Sequence, residues 1–92
     1  MSTAVTHGMD PQAVRQFANQ LNQKAQEIQT IMQQLTGDLQ NTAWLGADRQ
    51  QFESDWNGQH CSALRQVISG LETASQRASA NAQQQEDVSN RG

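Results

Sequence analysis

Few side chains in this sequence could do chemistry. His60 and Cys61 adjoin, a pairing that elsewhere makes an imidazole-activated thiolate. On a helix, however, neighbouring residues point about 100° apart. No Asp, Asn or second His recurs at a spacing that would orient the imidazole. The pair reads as a seam histidine beside a small buried or interfacial cysteine. An intermolecular disulfide is the other use of a thiol that has no partner in its own chain. His7 has no second ligand at a metal-site spacing. Asp48, Glu53 and Asp55 suit the first turns of a helix, where negative charge is stabilised, better than general acid–base work. The six glycines are scattered and form no phosphate loop. The expectation is a non-enzyme with no catalytic residue, no cofactor and no metal.

Trp44 is of another kind. It stands in Ala43-Trp44-Leu45-Gly46, near the middle of the 92 residues. An aromatic in a tight turn must pack somewhere, and a glycine two positions on takes backbone angles that other residues avoid. The tetrapeptide therefore reads as the hinge of a helical hairpin. Trp44 either plugs the end of the hairpin or is presented for recognition, and the two roles are compatible.

Composition supports helices and one small domain. Apolar residues make up 35% of the chain, many of them Ala, with Gln filling the polar positions. β-branched residues are few, and no stretch alternates apolar with polar over a strand's length. A net charge of −3 with scattered basic residues argues against nucleic acid as a partner. No run approaches the roughly 18 apolar residues of a membrane span. Met1-Ser2-Thr3-Ala4-Val5-Thr6-His7-Gly8 lacks the basic start and apolar core of a cleavable signal peptide.

Two elements must position the hinge. Residues 1–9 read as a flexible tail. Asp10-Pro11 is a strong helix start, with the carboxylate as N-cap and proline at the first helical position. Met9 and Val14 have the spacing of a hydrophobic staple across it. Val14, Phe17, Leu21, Ala25, Ile28, Met32, Leu35 and Leu39 then step by three and four, predicting a helix over 11–41. Gly37 within it reads as a tolerated surface glycine or a point of close backbone approach. After the turn at 43–46, a second helix is expected over 47–85. Its apolar line is Phe52, Trp56, His60, Leu64, Val67, Leu71, Ala74, Ala78 and Ala82, with Cys61, Leu64 and Ile68 on an adjacent line. Residues 87–92 read as a second flexible tail.

The two lines fit one another. Pairing Leu39 with Phe52, Leu35 with Trp56, Met32 with His60, Ile28 with Leu64, Ala25 with Val67 and Phe17 with Ala74 keeps a nearly constant register centred on Leu45-Gly46. One hairpin leaves a flank of each line wet. A second hairpin covering those flanks would make a four-helix bundle. The expected fold is thus an all-α antiparallel hairpin that dimerises, most simply antiparallel. Its interface is expected to comprise Ala18, Ile28, Ile31, Leu35, Trp56, Cys61, Leu64 and Ile68.

With these residues in place the sequence resembles the WxG (Trp-Xaa-Gly) family, the early-secreted-antigen-like substrates of type VII secretion. The likeness rests on Trp44-Leu45-Gly46 midway along a helical hairpin of about a hundred residues, followed by Asp48, Phe52 and Asp55-Trp56. The resemblance implies synthesis in the cytoplasm and export without a cleaved leader, to the envelope or medium of Gram-positive or mycobacterial-type bacteria. The cargo is a folded homodimer, or a heterodimer with a second WxG-type chain, and a membrane-bound secretion ATPase drives it. It also implies that the turn motif of one chain lies near the partner's C-terminal helix end, where a Tyr-x-x-x-Asp/Glu motif completes the signal. This sequence has no Tyr, and its nearest spacing match is Ala82-x-x-x-Glu86. Two other classes fit a hairpin of this length. One is a structural subunit of a filament or needle, built through an interface that never closes; the other is a cytoplasmic adaptor.

Overall fold

Asp10 begins the first helix as its sequence suggests. Its backbone is extended and its Oδ1 accepts the Gln12 N–H at 3.0 Å, while Pro11 at the first helical position forgoes an N–H that would have no partner. In the computed structural model, which describes residues 10–91, helix α1 runs Pro11–Asn41, with the expected boundaries. Thr42 ends it: its backbone turns extended, and its Oγ1 donates to the Asp38 carbonyl at 2.6 Å. The expected tail at residues 1–9, and Met9 of the staple, lie outside the described residues. A Cβ on Gly37 would meet nothing within 4 Å, which makes it the surface glycine rather than a close approach.

The second arm is one continuous rod made of three pieces. Helix α2 runs Ala47–Asp55, a wider π-turn spans Trp56–His60, and helix α3 runs Cys61–Arg91. In the π-turn the Cys61 N–H reaches back five residues to the Trp56 carbonyl. The arm extends past its expected end at Gln85, so residues 87–91 are helical rather than tail. Across its last turns Gln83 Nε2 donates to Asp87 Oδ1 at 3.1 Å, and Glu86 is tied to α1. Together the arms form an all-α antiparallel hairpin measuring 67 × 18 × 17 Å.

Burial repeats every seven residues on both arms, the period of a coiled-coil seam. On α1 the buried positions are Ala18, Ala25 and Met32; on α3 they are Cys61, Ile68, Ser75 and Ala82. Ala25, Met32, Cys61 and Ile68 form the core, with Ile28, Trp56, Leu64 and Leu71 packed against it. Ser75 Oγ donates to the Ala18 carbonyl at 2.7 Å, which satisfies the hydroxyl inside the seam and fixes the register.

This corrects the expected seam of the second arm. His60, Val67 and Ala74 are exposed, and the line one residue later is buried. The cause is the π-turn. It inserts one residue, so a seam entering at Trp56 continues five positions on at Cys61 instead of four on at His60. On α1 the expected seam residue Phe17 is 55% exposed and its neighbour Ala18 is buried, so Ala18 faces Ser75 where Phe17 was expected to face Ala74. It also corrects part of the expected interface: Ala18, Cys61 and Ile68 close inside one chain, at 0%, 3% and 8% exposure, and leave nothing for a partner to cover.

Candidate functional site

The turn is held by its own main chain and by one arginine. The Trp44 N–H donates to the Thr42 carbonyl at 2.8 Å, which folds the chain sharply out of α1. Gly46 has φ 113° and ψ −173°, a region in which a side chain is strained. Its carbonyl accepts the Gln50 N–H at 3.2 Å and starts α2. The Trp44 ring packs on Phe52, centroids 5.5 Å apart. Arg49 donates through Nη1 to the Trp44 carbonyl at 3.1 Å and through Nη2 to Glu53 at 3.4 Å. Its Nε is buried without a partner. Trp44 is thus half-buried, while Leu45 beside it is 91% exposed.

Sequence reasoning found Trp44 and Gly46 but placed Phe52 in the seam and overlooked Arg49. The spacing of Arg49 and Glu53, one helical turn apart, is the signal that could have drawn attention to the strut. Asp48 lies in the first turn of α2. Glu53 is engaged by Arg49, and Asp55 accepts from Gln51 Nε2 at 3.0 Å.

Glu86 lies at the other end of the molecule, about 60 Å along the arm from Gly46 at 1.5 Å per residue. Within one chain, then, the turn and Glu86 cannot form a common surface. Arg15 bridges to Glu86 at 2.6 Å and to Gln83 Oε1 at 2.8 Å. Hydrogen bonding from Arg15 holds the Glu86 carboxyl below its ordinary range and lifts the guanidinium above its own. Ala82, at the position where the resemblance implies an aromatic, is fully buried in the seam.

His60 and Cys61 do not form a nucleophile pair. His60 is exposed, its ring 6.3 Å from that of Trp56, while Cys61 is buried in the core. An intermolecular disulfide through that thiol would require the seam to open.

The other candidate surface is apolar. Residues three positions after each seam residue, Leu21, Ile28 and Leu35 on α1 with Leu64, Leu71 and Ala78 on α3, fall on the same face of an antiparallel pair. Residues four positions after, including Arg15 and Glu86, fall on the opposite face, where those two bridge. The apolar face continues outward through Phe17 and Ile31 on α1 and Val67 on α3, each about half exposed. Near the turn it holds an open groove of about 440 Å³ lined by Phe52, Trp56, His60, Ala63, Leu64 and Val67. Trp56 walls this groove while its Nε1 donates to Thr36 Oγ1 at 2.9 Å. Of the expected interface residues, Ile28, Ile31, Leu35, Trp56 and Leu64 therefore lie partly or largely open. Among the described residues, no helix is long and apolar enough to cross a membrane. No protein-family model, curated protein or solved structure matches this chain.

Proposed function

We propose that this chain is a WxG-type cargo of type VII secretion, a secreted substrate or the co-exported partner of one. It leaves the cytoplasm folded and paired with a second helical hairpin. It performs no catalysis. The observation that carries this reading is the turn itself. Trp44-Leu45-Gly46 sits at the tip of a hairpin, its tryptophan braced on Phe52, its carbonyl pinned by Arg49 and its glycine in a conformation that other residues avoid. A segment so fixed, with Leu45 almost wholly exposed, suits recognition by a protein such as the secretion ATPase better than it suits mere connection.

The apolar face is the second support. A hairpin with one greasy side suits a four-helix bundle, and in an antiparallel bundle the turn of one chain comes level with Glu86 of the other. The test is to replace Trp44 and Gly46 by Ala, singly, and to compare culture supernatant with cell lysate. Secretion should fall while the lysate retains folded protein. Secretion equal to the parent's would reject the reading.

A further inference from the structure

We infer that Leu45 is the docking residue of the hairpin tip, and that the protein receiving it offers an apolar socket rimmed by Lys and Arg side chains; this deepens the reading above and rests on it. An exposed leucine is ordinary on a protein surface. This one is 91% exposed on a backbone that its neighbours hold from both sides. The Trp44 N–H donates to the Thr42 carbonyl, Arg49 donates to the Trp44 carbonyl, and the Gly46 carbonyl accepts from Gln50. A loop that only joined two helices would need neither a residue at φ 113° nor a large apolar side chain held in water. Fixed in advance, Leu45 enters a socket without the ordering cost of a mobile loop. Beside it an open notch of about 250 Å³, walled by Trp44, Gly46, Arg49, Gln50 and Glu53, leaves room for a side chain from the socket's rim. Trp44 and Gly46 are then positioning residues, which act through Leu45.

Charge identifies the chemistry of the partner. Of the nine acidic and six basic residues, Asp38, Asp48, Glu53, Asp55 and Arg49 alone fall within residues 38–55. With histidine neutral, that stretch carries the chain's whole net charge of −3, and the other five of each sign cancel. None of the four carboxylates lies more than about 14 Å down its arm from the turn. Asp38 and Asp48 are exposed, and Arg49 lies 3.4 Å from Glu53. The rod thus has one acidic end, a collar of carboxylates below an apolar apex. Such an end is drawn to a basic surface and repelled by nucleic acid or an anionic bilayer. The surface that receives Leu45 therefore belongs to a protein with cations around an apolar recess.

Variants at the apex and in the collar test this by export from cells, with urea unfolding and sedimentation equilibrium on each purified chain. Leu45→Asp should lower the exported share at least about tenfold, with an unfolding midpoint and mass like the parent's. Leu45→Met should be exported like the parent. Asp38→Asn combined with Asp48→Asn should give a smaller, several-fold loss, and Asp38→Glu combined with Asp48→Glu should keep export. Normal export of Leu45→Asp, or of the doubly neutralised chain, would overturn the inference. So would a lowered midpoint or an altered mass for Leu45→Asp, since Leu45 would then pack within the chain or on a second copy of it. Flotation of the parent with phosphatidylcholine vesicles, lost in Leu45→Asp, would assign the apex to a bilayer instead. Export that depends on Trp44 and Gly46 but ignores Leu45 removes this inference alone. Export indifferent to all three residues removes the secretion reading, and this inference falls with it.

Discussion

At the turn, two residues divide the work in a way their types alone do not reveal. Trp44, the conspicuous aromatic, is a brace that packs on Phe52, whereas Leu45 is the exposed one. Gly46 is required by its backbone and not by crowding, since a Cβ there would touch nothing within 4 Å. The same substitution at two glycines should therefore act in opposite directions. Gly46→Ala is expected to lower stability by about 1–3 kcal/mol through backbone strain. Gly37→Ala, within α1 and with open space around it, should raise stability by roughly 1 kcal/mol. Urea unfolding midpoints on the two sides of the parent's would agree with this account; shifts of one sign would refute it. Trp44 and Gly46 were legible because a turn needs such residues. The brace was not, because Trp44 and Phe52 meet across the turn and neither helical nor strand periodicity links them.

At the scale of the elements, α1 was legible in its bounds, though Ala18 and not Phe17 proves to be its buried residue near the far end. Asp10-Pro11 caps its start, and its apolar residues keep one phase to the end. The second arm was legible as a helix but not in phase. Its sequence offers two adjacent lines, and periodicity alone favours the one through His60 and Val67. Only the five-residue step from Trp56 to Cys61 identifies the other, and a π-turn of this kind amounts to one inserted residue. Deletions should expose the difference. Removing Gly58 should convert the π-turn to an ordinary helical turn and leave Cys61, Ile68 and Ser75 in the seam, with a melting temperature close to the parent's. Removing Gln66, outside the π-turn, should rotate Ile68 and Ser75 about 100° out of the seam and cost most of the cooperative melt. Equal damage from both deletions would show that the π-turn does not set the phase.

In the whole molecule, the hairpin and its one-sided character follow from the sequence, while the choice of which apolar residues stay exposed does not. Ala18, Cys61 and Ile68 stand one position off the line that periodicity favours, yet the structure closes them inside, and the open face passes to Phe17, Ile31, Leu35 and Val67. The seam itself is graded. Near the turn it holds Met32, Trp56, Cys61 and Ile68; toward the far end it holds Ala18, Ser75 and Ala82. The chain loop to be closed is shortest where the side chains are bulkiest, so closure entropy and apolar burial favour the same end. The arms should zip from Gly46 outward and part in the reverse order. Deuterium should enter the amides around Ala18 and Ala82 well before those around Met32 and Cys61. Uniform uptake along the rod would show that it opens all at once.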